Sequence, residues 1–121
     1  MRLMVVLVCA LLTIKGATQQ RIYFLDHNRT PVFNAGKASY VNEINQTDSG
    51  WLKRSYLINA KSLVESTLYA DSFCLIRKGY FHAYHANGSL KTIGQYFNGK
   101  KTGLWLHYHS NGMIADSAWY D

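Results

Sequence analysis

The chain has 121 residues, of which 48% are hydrophobic, and this length supports one small domain rather than two. The chain has thirteen Lys and Arg residues and seven Asp and Glu residues. Two of the basic residues, Arg2 and Lys15, belong to an apolar N-terminal segment. The remainder of the chain therefore has eleven basic and seven acidic residues, a net charge of about +4. This mild basicity lacks the clustered basic stripe of nucleic-acid-binding proteins, and we expect no nucleic-acid partner.

The N-terminal segment has the layout of a secretory signal peptide. Arg2 supplies a positive charge, Leu3 to Ile14 is an almost unbroken apolar run, and small and polar residues follow from Gly16 to Gln20. The run is about twelve residues long, whereas a membrane-spanning helix needs roughly twenty. We therefore predict a signal peptide in residues 1–20, cleaved between Gly16 and Gln20, and an exported protein; a buried core helix is the alternative.

The two cysteines give little indication of chemistry. Cys9 follows Val8 inside the apolar run, instead of a small residue at its end, which argues against a lipid anchor. Removal of the signal peptide leaves Cys74 alone, so no internal disulfide is expected. Cys74 lies in the stretch Ser72–Ile76, where a cysteine is more often a small buried hydrophobe than a nucleophile.

The first part of the mature chain predicts short strands separated by polar turns. No stretch after residue 20 shows sustained helical periodicity, so we expect few or no helices. In chain order the pattern predicts a strand at Ile22–Leu25, a polar turn at Asp26–Pro31, an ambiguous helix or strand at Ala38–Ile44, a polar loop at Asn45–Gly50, strands at Trp51–Asn59 and Leu63–Tyr69, and a longer connector at Asp71–Lys78.

Self-similarity is the strongest signal in the sequence. Residues 79–90 and 103–114 align without gaps at an offset of twenty-four residues. The identical pairs are Gly79 and Gly103, Tyr84 and Tyr108, His85 and His109, Asn87 and Asn111, Gly88 and Gly112, and further on Tyr96 and Tyr120. Spacing and residue type are kept together over two turns and two strands, which indicates a structural repeat.

Turn dipeptides and alternating strands predict a β-meander from this repeat. Asn87-Gly88, Asn98-Gly99 and Asn111-Gly112 suit tight hairpin turns, because both residue types tolerate positive φ. Between these turns, Tyr80–Tyr84 and Leu104–Tyr108 are rich in aromatic residues and alternate their side chains between two faces. We predict an all-β fold, a single elongated antiparallel meander of about eight strands.

The repeat resembles the MORN-variant unit, in which a glycine, an aromatic residue, a tyrosine and an Asn-Gly turn follow one another. Gly103–Tyr108 and Gly94–Lys100 carry the resemblance most clearly. It implies one β-repeat domain at 21–121, divided into a divergent part at 21–50, a degenerate unit at 51–78, a repeat at 79–102 and an incomplete repeat at 103–121. The residues expected to define the repeat are Gly79, Tyr84, Asn87, Gly88, Tyr96, Asn98, Gly99, Gly103, Trp105, Tyr108, Asn111, Gly112 and Tyr120.

The resemblance also implies binding rather than catalysis. Similar repeats occur in exported proteins of Gram-negative bacteria, often before a TonB-like transducer domain, and some relatives are labelled as antitoxins. We therefore expect an interaction or scaffold module of the periplasm or cell envelope that binds a partner protein. No TonB-like domain is seen in the sequence, so transducer activity is not carried over. The alternatives are a peripheral binder of anionic membrane surfaces, with Lys91, Lys100 and Lys101 near turns, and a non-functional remnant of a longer transducer.

Patterns that suggest chemistry are each incomplete. Gly94–Lys101 nearly spells a phosphate-binding loop, but its last position should be Ser or Thr, and a strand follows where a helix is required. His82, His85, His107 and His109 lie on neighbouring strands, yet no carboxylate recurs with them at the repeat spacing. We expect no metal site, no cofactor and no enzymatic activity.

All seventeen Phe, Trp and Tyr residues follow residue 20, and we expect most of them to be structural. The repeat-equivalent set, predicted to pack as ladders on the sheet, is Phe81, Tyr84, Tyr96, Trp105, Tyr108 and Tyr120. A single sheet covers only one of its faces, so some aromatic side chains are expected to stay exposed as a patch for a partner. The open edge of the last strand is a second place where another chain can pair.

Overall fold

The computed structural model describes residues 13–15 and 18–121, with side chains from residue 19 onward. Most of the predicted signal peptide, residues 1–12 and 16–17, lies outside the described residues. The described part of that segment is extended, because residues 13–15 and 18–20 belong to two paired strands. The signal peptide and its cleavage point stay predictions.

The described residues form β-strands joined by short turns, and the predicted all-β fold is confirmed. The strands are β1 (Thr13–Lys15), β2 (Thr18–Leu25), β3 (Pro31–Val32), β4 (Tyr40–Thr47), β5 (Gly50–Leu57), β6 (Ser62–Tyr69), β7 (Arg77–Tyr84), β8 (Leu90–Phe97), β9 (Lys100–Tyr108) and β10 (Ile114–Tyr120). Within the described part of the chain, eight strands have seven to nine residues, and a three-residue 3-10 turn at Ala35–Lys37 is the single helical element.

The strands form one antiparallel meander whose path is open. Their order in the sheet is β1-β2-β4-β5-β6-β7-β8-β9-β10, so neighbours along the chain are neighbours in space. The short strand β3 pairs with β2 at Phe24 and Leu25, while β1 pairs with β2 at Thr18–Gln20. Two short strands therefore share one edge of β2, and β10 forms the opposite edge of the described sheet.

The predicted polar loop at Asn45–Gly50 is wrong. Strand β4 continues to Thr47 and β5 begins at Gly50, which leaves only Asp48 and Ser49 as the turn. Asn45 pairs with Leu52 in this hairpin, and Thr47 closes it by donating its hydroxyl hydrogen to the carbonyl oxygen of Gly50, at 2.9 Å. Polar side chains suggested a loop, but the ladder is made by backbone groups and accepts polar residues.

Two other segments contain more β-strand than the sequence pattern predicts. The ambiguous stretch Ala38–Ile44 is strand from Tyr40 onward, because β4 lies between β2 and β5 and pairs with both. The predicted connector at Asp71–Lys78 is wrong at its end, since Arg77 and Lys78 already belong to β7.

The Asn-Gly turns are of two kinds. Asn98 and Gly99 both have positive φ, 51° and 82°, as a type I′ turn requires. At the other two dipeptides only Gly88 and Gly112 have positive φ, 90° and 92°. There the asparagine instead accepts a hydrogen bond with its side chain, from the N–H of Ser89 at 2.9 Å and of Met113 at 3.0 Å. The predicted tight turns are therefore present at all three dipeptides, and positive φ at both residues occurs only at Asn98-Gly99.

The two faces of the sheet differ in burial. The buried side chains, which alternation and register place together on one face, belong to Leu25, Ile44, Ser55, Thr67, Tyr69, Thr92 and Trp105. We call this side the inner face and the other side the outer face. The core is thus one layer of side chains that cover each other on the inner face.

Candidate binding surfaces

An aromatic cluster forms the centre of the inner face. Trp105 is 1% exposed, and its ring stacks on Phe81 at 5.8 Å between centroids. The edges of Tyr96 and Tyr120 meet the same ring at 5.1 and 6.2 Å. The indole Nε1–H donates to the carbonyl oxygen of Gln95 at 3.2 Å, so the polar handle of the ring is satisfied. The predicted packing of repeat aromatics is confirmed for these four residues.

Tyr84 and Tyr108 belong to the outer face, opposite to Phe81 and Trp105, as the alternation of side chains along these strands predicts. Tyr84 stacks on the imidazole of His82 at 6.4 Å. The carbonyl oxygen of Tyr108 lies 2.8 Å from Nε2 of His85. Strand alternation separates these tyrosines from Trp105 whatever their spacing in the repeat.

Repeated glycines have repeated backbone geometry. The φ angles are 69° at Gly79 and 70° at Gly103, a left-handed conformation that favours glycine. Each glycine lies where the register between two strands shifts: Gly79 between β6 and β7, and Gly103 between β8 and β9. The same agreement holds at Gly88 and Gly112. The twenty-four-residue period of the sequence is therefore a geometric period of the sheet.

The thirteen predicted repeat residues are spread over the sheet and do not meet at one site. Asn87, Gly88, Asn98, Gly99, Asn111 and Gly112 lie in turns, Gly79 and Gly103 within strands, Tyr96, Trp105 and Tyr120 on the inner face, and Tyr84 and Tyr108 on the outer face. This distribution suits residues that shape a repeat.

Three cations recur at the same interval, and the motif prediction did not include them as a set. Lys53, Arg77 and Lys101 are spaced by twenty-four residues. Lys53 Nζ lies 5.4 Å from the ring centroid of Tyr69, and Lys101 Nζ lies 5.2 Å from that of Tyr120. Because Arg stands at the middle position and Lys at the other two, a search for identical residues misses this recurrence. Extending the offset of twenty-four residues towards the N-terminus and comparing charge would reveal it.

These cations and the tyrosines of the neighbouring strands form a basic–aromatic row on the inner face. Its members, one from each strand in order from β5 to β10, are Lys53, Tyr69, Arg77, Tyr96, Lys101 and Tyr120. The guanidinium of Arg77 lies between two rings, 5.9 Å from that of Tyr69 and 5.3 Å from that of Tyr96. Such contacts stabilise by about 0.5–2 kcal/mol each, depending on desolvation.

The charge of this row is not neutralised by carboxylates. Among the described residues, the cations of the row contact rings and form no ion pair. The inner-face carboxylates of Glu65 and Asp116 lie towards the other end of the strands, beside Ala83 and His107. The Nε atom of Arg77 is buried and has no hydrogen-bond partner among the described residues.

The connector between β6 and β7 covers one end of the row. Arg21 donates from its guanidinium to the carbonyl oxygen of Ser72, which ties the connector to β2. The Asp71 carboxylate accepts from the N–H groups of Leu75 and Ile76, both at 2.9 Å. Desolvation acts to raise the pKa of Asp71, but these backbone donors outweigh it and hold the pKa below its ordinary value.

The same connector carries Cys74 and two exposed apolar side chains. Cys74 is half-buried with positive φ, and burial raises the pKa of its thiol despite the nearby cations Lys53 and Arg21. Its neighbours Phe73 and Leu75 are each 77% exposed. The thiol is thus kept protonated, and the connector presents apolar groups to solvent.

An apolar patch marks the outer face of the last four strands. Tyr80 is 57% exposed, Leu104 50% and Trp119 70%. Leu104 and Trp119 lie directly opposite each other on β9 and β10. Ile93 and Leu106 pair with each other on β8 and β9 and lie on the same face. We call these five residues the outer patch; it reaches the open edge at β10.

An open depression of about 430 Å³ lies at the opposite end of the sheet. It is lined by Phe24, Ala35, Val41, Tyr56, Leu57 and Ile58, with Glu43 and Lys61. The apolar lining residues from β2, β4 and β5 and the 3-10 turn form an open depression.

In the described structure, the histidines and residues 94–101 form neither a metal-ligand cluster nor a phosphate-binding loop. In the part of the chain that the structure describes, no three His, Cys, Asp or Glu side chains gather as metal ligands. His107 instead lies 3.1 Å from the hydroxyl of Thr92 through Nδ1. Residues 94–101 form the end of β8, a tight turn and the start of β9, so this segment lacks the helix of a phosphate-binding loop.

Comparison of the chain with protein-family models, curated proteins and solved structures gave no match. None of the described residues belongs to a helix long and apolar enough to cross a membrane.

Proposed function

We propose that this protein is an exported, non-enzymatic interaction or scaffold module of the periplasm or cell envelope of a Gram-negative bacterium, built from MORN-type repeats, and that it binds a partner protein. The observation that carries the proposal is the outer patch. Large apolar side chains that stay exposed next to each other are typical of surfaces covered by a partner.

The position of the outer patch favours an extended segment of the partner as its contact. The patch continues to β10, whose backbone donors and acceptors on the open side have no strand beside them in the described sheet. A strand added there would place alternate side chains against Trp119 and Leu104. Aromatic residues such as Trp119 commonly dominate the energy of such interfaces.

The MORN kinship in this proposal rests on repeated geometry. Gly79 and Gly103, like Gly88 and Gly112, agree in φ within a few degrees at the repeat offset. Each hairpin alone buries too little to be stable, which is the physical reason that such units occur in arrays.

Site-specific crosslinking tests the proposed partner surface. A photoreactive amino acid at Trp119 is expected to give one discrete adduct in the cell envelope, and Leu104→Lys in the same chain is expected to abolish it. The same photoreactive residue at Ser110, an exposed position in the turn between β9 and β10, is the matched control. Adducts of equal yield from Ser110, or an adduct unaffected by Leu104→Lys, would contradict the proposal.

The β6–β7 connector supports a second candidate, a peripheral binder of anionic membrane surfaces. Exposed Phe73 and Leu75 can enter the lipid interface, and Lys53 and Arg21 lie next to the connector. Binding to phosphatidylglycerol vesicles is expected to weaken between about 0.01 and 1 M salt, where the Debye length falls from roughly 30 to 3 Å. It is expected to disappear in Phe73→Ser/Leu75→Ser and to persist in Phe97→Ser, the control at the exposed end of β8.

A further inference from the structure

We propose that the open part of the basic–aromatic row, Arg77, Tyr96, Lys101 and Tyr120, binds a linear acidic polysaccharide in which acidic and neutral sugars alternate. This site lies on the inner face, away from the outer patch, and does not depend on the partner protein proposed above. The ligand would lie across the strands, from the β6–β7 connector towards the edge at β10.

The spacing of the row matches such a polymer. Cation and ring alternate from strand to strand, and neighbouring strands lie about 4.8 Å apart. Across the strands, Arg77 on β7 and Lys101 on β9 are two strand spacings apart, about 10 Å, and Arg77 is displaced by two more residues along the strand, because Gly79 pairs with Tyr96 and Tyr96 pairs with Lys101. Each sugar residue lengthens a polysaccharide by about one strand spacing. A polymer with an acidic group on every second sugar therefore places one acidic group at each cation of the row.

The chemistry of each position fits its sugar. Guanidinium and ammonium groups bind carboxylates and sulfates through charge-assisted hydrogen bonds. Arg77 is suited to this because its guanidinium lies between the rings of Tyr69 and Tyr96 and forms no ion pair with the described residues. Tyr96 and Tyr120 are partly exposed, and a tyrosine ring offers a flat face for the C–H groups of a neutral pyranose.

Among the described residues, no carboxylate forms an ion pair with the row, although Asp71 and Asp121 lie near its two ends. Glu65 and Asp116, on the same face, lie towards the other end of the strands. The third cation of the row, Lys53, is next to the connector, and Tyr69 beside it is buried. The accessible row thus holds two cations and two rings, the length of four sugars.

Fluorescence anisotropy tests the site, with the purified full chain and a labelled decasaccharide that alternates glucuronate with an N-acetylated neutral sugar. Lys101→Gln and Arg77→Gln are each expected to weaken binding about tenfold, the loss of one charge-assisted contact. Lys100→Gln and Lys78→Gln are matched controls, because these exposed neighbours point to the outer face. They are expected to change affinity by less than about twofold, as screened surface charges do. Tyr120→Leu is expected to weaken binding, and Arg77→Lys to retain most of it.

Four outcomes would overturn the proposal. Equal losses in all four Gln variants would mean diffuse attraction to a polyanion. Equal affinity for a neutral glucan would remove the role of charge. Equal affinity for polyglutamate or for phosphatidylglycerol vesicles would remove the role of the sugar and of its spacing. Absence of binding by the unaltered chain would end it directly. Circular dichroism melts of every variant separate unfolding from loss of binding.

Discussion

The two halves of the sheet reach the same architecture with different side chains. In β7–β10 the inner face is aromatic, and Gly94 leaves room for the ring of Trp105. In β2–β5 the buried residues are aliphatic or small, such as Ile44 and Ser55, and a hydrogen bond of 2.6 Å joins the Ser55 hydroxyl to Oδ1 of Asn42. Both halves place a row cation, Lys53 or Lys101, against a tyrosine of the next strand.

This difference shows that the repeat motif is not needed for strand pairing but for a particular packing. Strands β4 and β5 pair over eight residues without a register shift, although their sequences have lost the motif. The motif is kept in the strands that pack around the ring of Trp105. This ring needs Gly94 beneath it, and the shift in register between β8 and β9 needs Gly103. We therefore expect the stability of the sheet to be concentrated in the aromatic half.

Removal of the central ring is expected to have the largest effect. Trp105→Ala should lower the free energy of unfolding by about 4 kcal/mol, because the ring is almost fully buried and the cavity cannot close. Ile44→Ala, in the aliphatic half, should cost about 3 kcal/mol. Urea unfolding measures both; a larger loss for Ile44→Ala would place the main core in β2–β5.

The addition of a methyl group beneath the ring of Trp105 is expected to have the next largest effect on stability. In Gly94→Ala, the added Cβ would lie 2.1 Å from a ring carbon of Trp105, so we expect a loss of about 3 kcal/mol through overpacking. Gly88→Ala meets no atom within 4 Å and should cost only about 1–2 kcal/mol, for its left-handed φ of 90°. Thermal melting compares the two; equal losses would mean that the ring moves aside.

The polar contact of the aliphatic half should have a smaller effect. Ser55→Ala leaves Oδ1 of Asn42 without its hydroxyl donor and should cost about 1–2 kcal/mol. Ser66→Ala, on the outer face of β6, is the control and should change stability by less than about 0.5 kcal/mol. If the two variants melt at the same temperature, the hydrogen bond does not contribute to the stability of the aliphatic half.

Acid should loosen the connector between β6 and β7 without unfolding the sheet. The pKa of Asp71 is lowered from its ordinary value of 3.8, so its stabilising effect is complete above that value and is lost as the pH falls through the lowered pKa. Hydrogen exchange at the N–H groups of Leu75 and Ile76 should accelerate in that acid range, relative to exchange within β8. Asp71→Asn should reproduce this acceleration at neutral pH, whereas Asp48→Asn, in another turn, should not.

Truncation at the predicted leader should have the smallest effect. A chain that starts at residue 21 loses β1 and the first residues of β2, but Arg21–Leu25 keep their pairing with β4. We expect a loss below about 1 kcal/mol, as for other chain termini with few contacts. A cooperative melt close to that of the full chain is the expected result, and an unfolded product would show that this edge is part of the core. The mass of the protein recovered from the cell envelope separately tests the signal peptide.

Hairpin positions were largely predictable from sequence because turn chemistry and side-chain alternation are local properties. Gly79–Tyr84 and Gly103–Tyr108 carry both signals, and the structure has strands there. Prediction failed at Asn45–Gly50, where polar side chains mask a hairpin, and at Arg77 and Lys78, where the connector ends earlier than its composition indicates. In both places backbone pairing with neighbouring strands overrides the local pattern.

The sequence by itself determined the all-β meander and the division of each strand into two faces, since a period of two along the strand and a period of twenty-four along the chain are written in it. The tertiary structure alone decided which face is covered and which distant residues touch. Lys101 and Tyr120 meet because β9 and β10 pair with a particular register, and shifts of register between strands move such contacts by one residue or more. Register is a property of pairs of strands, so the basic–aromatic row becomes visible only once the sheet is assembled.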